Sequence, residues 1–400
     1  MKQQLTIGID IGTSMTRVVA CTLDGGNTLP KIAASSSVDT RGMRHGYITS
    51  REEVALSLRK AVQEVEKEIG AKIKNAAIAI GGVGITSEYA VGMSVATRAD
   101  GIISKFDIDK AIQDAESRID LKNKAILHAY PILFKVDGQE LPTRPEGING
   151  VKLEVRVLFV TCFQQHLDDL LAVTHDLGIR ITGFTATPLA TEKLLLTDLQ
   201  RNFGCTLIDI GAETVSVSVF ENNTLTSLFV FAIGSLDITK DIALGLRVTP
   251  EEAESIKMGT VSFQSGSKKK LDEIIEARLS DIFELVDKYF KKIGRSGLLP
   301  AGAIIIGGGS RMQLVETVAK SMLRIPVKVA HVDFPGTKGP IKDNRLLVAY
   351  SIAVANEEPQ QGGSVSASKP RRVSLPRVSS GSDGESVWDA IKSFFKQLMP

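Results

Sequence analysis

The sequence predicts an α/β protein made of two related halves, and three observations carry that prediction. Strand-like and helix-like segments alternate from residue 5 to 355, the signature of layered α/β architecture. One unit (an apolar strand, a tight Asp-x-Gly turn and a second strand) occurs twice, about 200 residues apart. A strand-rich stretch interrupts the first half as an insertion.

Taken in order, the first copy is Leu5–Asp10 (LTIGID), the turn Asp10-Ile11-Gly12-Thr13-Ser14 and a β-rich run from Arg17 to Leu23. Glu52–Ile69 is an amphipathic helix with Val54, Leu58, Ala61, Val65 and Ile69 on one face. The strand Ala76–Ile80 leads into Gly81-Gly82-Val83-Gly84. We read these glycines as a turn at a domain junction, because no helix and no ribose-binding acid follow as in a dinucleotide fingerprint. The insertion holds the helix Asp107–Arg118 and strands Tyr89–Val95, Ala125–Val136 and Leu153–Val160. Its His128, Pro131 and Asp137-Gly138 are expected at turns and strand ends. The second copy is Thr206–Gly211, the turn Asp209-Ile210-Gly211-Ala212-Glu213-Thr214, Val215–Phe220 and a turn at Asn222-Asn223. A third glycine turn, Gly307-Gly308-Gly309-Ser310, follows the apolar strand Ile304–Ile306 and precedes a helical pattern from Met312 to Met322. Lys268–Lys270 opens a long helix, Leu271–Ile293.

Composition sets the outer bounds. With 48 Lys+Arg against 46 Asp+Glu in 400 residues, the formal charge of +2 gives no global reason to expect nucleic acid. An apolar fraction of 43% lies well above the disordered range, and the length favours two or more domains. Cys21, Cys162 and Cys205 are far apart and form no CxxC, which argues against a disulfide scaffold or a zinc site and fits a reducing compartment. No run approaches the ~20 apolar residues of a membrane span, and the N-terminus enters a strand pattern without a signal peptide, so a cytosolic location is expected.

The turns suggest phosphate chemistry. Closely spaced glycines expose successive backbone N–H groups to an anion, and Thr13 and Ser14 add hydroxyl donors. Arg17 adds a cation nearby. Asp10 and Asp209 would repel a bare phosphate, so they make sense with a hydrated Mg²⁺ between, which takes one or two carboxylates plus phosphate oxygens. Two such hairpins facing across a cleft would clamp the β- and γ-phosphates, with the Gly307–Ser310 turn beneath the nucleoside. A single D-x-G-[ST] turn is common in ordinary hairpins. The order of all three, each after an apolar strand, is much more specific. No Walker A sequence is present.

That order resembles the actin/Hsp70/sugar-kinase ATPase superfamily, and within it FtsA, the bacterial cell-division family, from residue 5 to about 355 and again at the C-terminus. Gly42–Ile48 (GMRHGYI), Ala125–Gly138, Gly147–Val155, Pro188–Ala190 and Asp241–Met258 are family-like stretches. The resemblance implies an actin-like two-lobed ATPase fold, with duplicated ribonuclease-H-like domains and an inserted 1C-type subdomain. It divides the chain into 1A (1–84 and 163–203), 1C (85–162), 2A (204–240 and 301–355, the latter returning to 1A) and 2B (241–300). A flexible linker (356–385) and an amphipathic membrane-targeting helix (386–400) follow.

It also implies ATP and Mg²⁺. Asp10, Gly12, Thr13, Ser14 and Arg17 would form the first phosphate loop, and Asp209, Gly211, Ala212, Glu213 and Thr214 the second, with Asp10 and Asp209 holding the metal through water. Gly234, Glu254, Lys257, Gly307, Gly308, Gly309 and Ser310 would face the ribose and adenine. Without the family, Glu254 and Lys257 read as a solvated i,i+3 helix pair. Two departures stand out. Met15 occupies a place that is usually Lys, and Glu213 replaces a glycine of a usual DIGGGT. A carboxylate close to a phosphate costs on the order of 1–4 kcal/mol without a cation, so either binding is weak or Glu213 points away. No activating residue is evident, so a nucleotide-dependent polymer is expected rather than a turnover enzyme.

The tail reads SVWDAIKSFFKQLMP from Ser386. Trp388, Ile391, Phe394, Phe395 and Leu398 form one apolar stripe, with Lys392 and Lys396 on the other side. Residues 356–385 are Ser, Gly, Pro and Gln with scattered Arg, a linker composition. From Lys369 onward six basic residues (Lys369, Arg371, Arg372, Arg377, Lys392, Lys396) stand against Asp383, Glu385 and Asp389. At about 1 kcal/mol per basic residue near an anionic leaflet, this charge supports reversible membrane attachment. The resemblance implies a protein on the cytoplasmic face of the cell membrane at the division site, with itself (as a filament), inner-membrane lipids, the FtsZ C-terminal peptide and further division proteins as partners. Lys288, Lys291 and Lys292 are candidates for receiving the FtsZ peptide. A PilM-like component of pilus or secretion assembly is the alternative. A sugar kinase is disfavoured because no catalytic base is evident beside the second loop, and an Hsp70-type chaperone because no long C-terminal substrate domain follows.

Overall fold

The computed structural model describes residues 5–22, 29–141, 143–260 and 268–355. The expected linker and membrane helix, with Trp388, Ile391, Lys392, Phe394, Phe395, Lys396 and Leu398, lie outside the described residues. Among the described residues no helix is long and apolar enough to cross a membrane.

Two sheets share one wiring. In the first, five strands run in the order Arg180–Ala186, Asn75–Ile80, Leu5–Ile11, Met15–Thr22, Lys31–Asp39. The first three are mutually parallel and the last two return antiparallel. The second sheet begins with the same arrangement, Val327–Val329, Ala303–Ile306, Cys205–Ile210, Val215–Glu221, Thr224–Phe231. Again the first three are parallel and the last two antiparallel. The duplicated unit of the sequence is thus the hairpin formed by the third and fourth strands of each five-strand arrangement.

Helices cover these sheets through the apolar stripes their sequences carry. Arg51–Ile69 buries Val54, Leu58, Ala61, Val62 and Val65, is capped by the Ser50 side chain, and stops at Gly70 in the left-handed conformation (φ 67°) that glycine adopts without strain. In the second lobe Ile208, Ile210, Val215, Val217 and Val219 pack with Ile238 and Ile242 of Ser235–Leu246 and with Leu279, Phe283 and Val286 of Lys268–Lys292. Arg278 forks onto Asp241 through Nε (2.6 Å) and Nη2 (3.1 Å), holding those two helices in register. The helix Leu347–Ala355 then returns to the first lobe, where its Ala349 and Tyr350 pack with Val19 and Cys21.

The insertion is one helix, Lys105–Glu116, lying on strands Thr86–Val95, Lys152–Phe163 and Lys124–Val136, the last paired with the short strand Gln139–Leu141. Helix and sheet meet at Gly92, where a Cβ would lie 1.9 Å from the Ala111 carbonyl oxygen. Its strands extend the second sheet to nine by pairing Thr86 with Phe229. Ser87 strengthens this seam by donating from Oγ to the Leu228 carbonyl (3.1 Å) and accepting the Leu228 amide (2.8 Å).

One expectation is corrected here. His128 and Pro131 are interior to the long strand Lys124–Val136, not at its ends, and only Asp137-Gly138 forms a turn, with φ 50° and 85°. Pro131 is tolerated because the strand's register shifts beside it. His128 is buried and its Nε2 accepts the Ala186 amide (3.0 Å), which ties the insertion to the first lobe.

Candidate functional site

The two Asp-x-Gly turns close in the same way. Asp10, next to last in the strand Leu5–Ile11, pairs with Arg17, and the Gly12 amide donates to the Met15 carbonyl (3.0 Å). Asp209, next to last in Cys205–Ile210, pairs with Ser216, and the Gly211 amide donates to the Thr214 carbonyl (2.8 Å). A Cβ at Gly12 or Gly211 would stand 3.1 Å from those same carbonyl oxygens, so each turn is tight where a side chain would crowd it.

The acids of the two turns share one electrostatic environment. Burial raises the Asp10 carboxyl above its ordinary range, and the nearby Arg17 guanidinium, with Nη1 at 3.4 Å from Oδ2, only partly offsets it. Asp209 is pushed up to about 6, first by burial and then by the charge of Asp10, against the pull of Arg17. Arg17 Nε is buried without a hydrogen-bond partner. Two desolvated carboxylates served by one guanidinium are short of positive charge, a donor set that fits a hydrated divalent cation.

The third turn lies against the second. Gly307 (φ 90°) could carry no side chain, since a Cβ would stand 2.2 Å from Asp209 Oδ1 and 2.5 Å from the Ile210 carbonyl oxygen. Gly309 is pressed equally against Ile210, whereas a Cβ on Gly308 would meet open space. Ser310 is buried and its hydroxyl donates to the Gly307 carbonyl (2.8 Å), which shapes the turn and uses that proton. Gly308 is therefore the exposed member of the turn, the one not packed against Ile210. The expected helix after this turn starts at Val315, because Gly308–Arg311 form a 3₁₀ turn first.

Gly234 belongs with the second loop. A Cβ there would lie 2.3 Å from the Ala212 carbonyl oxygen and 2.6 Å from the Glu213 nitrogen, and the next two amides, of Ser235 and Leu236, donate to the carbonyls of Gly211 and Ala212 at 2.9 and 2.8 Å. The first turn of Ser235–Leu246 thus braces the loop from behind. Lys257 is not the solvated partner that its spacing alone suggests. Its side chain is 2% exposed, and Nζ donates to Ser235 O (3.1 Å), Thr239 Oγ1 (2.8 Å) and Glu254 Oε2 (2.7 Å), which uses all three protons. Burial lowers its pKa while Glu254 opposes that. Glu254, 43% exposed, retains an open side. Lys257→Met, similar in volume, should lower the unfolding free energy by about 2–4 kcal/mol by orphaning these acceptors. Urea titration of the variant reads this, and wild-type stability would show that Lys257 is not a structural pin.

Glu213 reaches across to the hairpin that contains His45. Its Oε2 accepts the His45 amide at 2.6 Å and its carbonyl accepts the His45 ring Nδ1–H at 3.2 Å. Thr13 Oγ1 accepts the neighbouring Gly46 amide at 3.1 Å. Ser14 is exposed and Thr214 partly exposed. The hairpin Met43–Arg44/Tyr47–Ile48 therefore touches both Asp-x-Gly turns, a contact between segments far apart in sequence. Lys288 and Lys291 stand at the far end of Lys268–Lys292, paired with Glu284 and Asp287 at 2.7 Å each, and Lys292 is exposed. The structure does not bring these lysines to the cleft.

Duplicated five-strand arrangements, each carrying an Asp-x-Gly hairpin, with a glycine turn packed on the second, define a protein of the actin-like ATPase fold. A chain of the PilM-PilN type IV pilus biogenesis complex superposes with a TM-score of 0.65 at 17% identity, covering 88% of this chain and 99% of that one. MreB5 of Spiroplasma citri, solved bound to ADP, superposes at 0.51 with 12% identity, covering 87% and 94%. Residues 206–382 match the family "Cell division protein FtsA", and residues 82–161 match the "SHS2 domain inserted in FTSA". The Cell division protein FtsA of Bacillus subtilis is 30% identical over 84% of this chain and 81% of its own length. That of Pseudomonas aeruginosa is 28% identical over 82% of each chain. The chain belongs to the FtsA family of cell division proteins.

Proposed function

We propose that this chain binds Mg²⁺-ATP between its two lobes, polymerises on the cytoplasmic face of the cell membrane and anchors the FtsZ ring at the division site. The observation that carries the nucleotide part is the pair of equivalent turns whose acids, Asp10 and Asp209, lie within electrostatic reach of each other. Mg²⁺, when bound, supplies the positive charge that these acids and a polyphosphate both require. Asp10 and Asp209 hold its water shell, and the Gly12 and Gly211 turns let phosphate approach the backbone. Arg17, anchored on Asp10, adds a fixed cation beside the first loop. Gly308 and the open side of Glu254 are left for the nucleoside. MreB5, which shares the fold, is described with ADP bound.

Nucleotide here serves assembly rather than turnover, with filament formation and lipid attachment reinforcing each other through avidity. Membrane attachment falls to residues 386–400, with Trp388, Phe394 and Phe395 inserted and the basic residues held at the headgroups. FtsZ capture is placed on the second lobe at the Lys288–Lys292 end of the long helix. Likeness to the pilus complex concerns the fold alone, and family membership favours cell division over that alternative.

One experiment tests the whole reading. The full chain, cosedimented with liposomes containing anionic lipid, should carry a labelled FtsZ C-terminal peptide into the pellet. Deletion of 386–400 should leave chain and peptide in the supernatant while ATP affinity is unchanged. Pelleting of the truncated chain at wild-type levels rules out the tail as the anchor, and a peptide that stays soluble with full-length chain on the liposomes rules out the FtsZ link.

A further inference from the structure

The hairpin tip that touches both phosphate loops has features of an anion site. His45 and Gly46 are successive residues in the left-handed region, at φ 49° and 81°. Their amides serve one loop each: His45 N–H donates to Glu213 Oε2 at 2.6 Å and Gly46 N–H to Thr13 Oγ1 at 3.1 Å. The tip is fixed from behind. A Cβ on Gly46 would stand 2.4 Å from Gly82 Cα, and the His45 carbonyl accepts the Val83 amide at 3.2 Å. The two amides serve separate acceptors, and the oxygen seated on the His45 N–H belongs to a carboxylate. The contact crosses from one half of the duplicated fold to the other, so it also holds the second phosphate loop against the first lobe.

We infer that the His45 amide is a third phosphate contact of this site, and that Glu213 is its internal occupant, a carboxylate in the place a nucleotide's terminal phosphate would take. This rests on the nucleotide reading given above. A nucleoside triphosphate must displace Glu213 from His45 or sit beside its charge, whereas a nucleoside diphosphate ends before that point. Glu213 thereby sets a preference for diphosphate over triphosphate, and a chain with glycine at this place would lack it. The His45 ring, donating to the Glu213 carbonyl, positions the loop but does not itself carry the discrimination.

Calorimetry on the full chain, with Mg²⁺-ADP and Mg²⁺-ATP titrated separately, tests this. Glu213→Gly should raise ATP affinity about tenfold while ADP affinity moves less than about twofold, because only the triphosphate meets the removed charge. Glu213→Gln keeps the side chain's shape and an acceptor for His45, so it holds the loop in place should the glycine variant fold poorly. It should shift the ATP-to-ADP affinity ratio in the same direction by a smaller factor. Binding of both nucleotides with an unchanged ratio in both variants overturns this inference alone. Binding of neither nucleotide to the wild-type chain overturns the nucleotide reading and this inference with it.

Discussion

Asp209→Asn should yield a protein that is more stable than wild type at pH 7.5 and does not bind Mg²⁺-ATP. Folding raises the Asp209 pKa from its ordinary value to about 6, chiefly by burial and secondarily through Asp10, whose own carboxyl is raised as well. For an acid with a raised native pKa, the folded state holds its proton over a pH range where the unfolded chain has lost it. The penalty is therefore absent below the unfolded pKa and grows as pH climbs to about 6, after which it is constant. At neutral pH it is on the order of 1–3 kcal/mol for Asp209. The amide carries no charge, so urea titrations at pH 4.5, 6 and 7.5 should show the variant gaining on wild type across that interval. Calorimetry should show nucleotide binding lost, since the cation has one carboxylate fewer. A variant that loses stability at pH 7.5, or that keeps wild-type affinity, contradicts the assignment. Burial thus leaves a destabilising charge at Asp209 above about pH 6.

Gly8→Ala should destabilise the fold by about 3 kcal/mol or more, at the upper end of what overpacking costs. Gly8 lies in the first central strand directly under the returning helix Leu347–Ala355. A Cβ there would stand 2.0 Å from the Ala349 carbonyl oxygen and 2.7 Å from the Ala353 nitrogen. Both are helix backbone and cannot swing aside as a side chain could. Moving the helix would also disturb Phe334, Leu346 and Tyr350, which are all buried. Gly70→Ala is the informative comparison. Its φ of 67° strains alanine but a Cβ there meets open space, so the expected loss is only about 1 kcal/mol. Equal urea midpoints for the two variants would show that the helix does not press on the strand.

Much of the architecture was readable before any coordinates. The 3.6-residue stripe of Val54, Leu58, Ala61 and Val65 specified a helix, and the structure shows it capped by Ser50 and stopped at Gly70. The apolar strands that end in Asp10 and Asp209 specified the two hairpins and hence the duplication. These features are local: period and turn chemistry act over a few residues, so a linear reading captures them. Where local rules gave the wrong answer, a distant partner was the reason. Pro131 reads as a strand end, yet a register shift against Lys152–Phe163 accommodates it inside the strand. Lys257 reads as one half of a surface pair, yet Ser235 and Thr239 on another helix bury it.

By itself, then, the sequence determined the α/β class and the duplicated hairpins. The tertiary structure alone decided which carboxylates share one field, that Gly307 and Gly309 but not Gly308 pack against the second turn, and that Glu213 reaches His45. The reason is physical. Desolvation and charge coupling depend on what other parts of the chain bring to a group. The Glu213–His45 contact spans 168 residues, a separation over which no local pattern carries information.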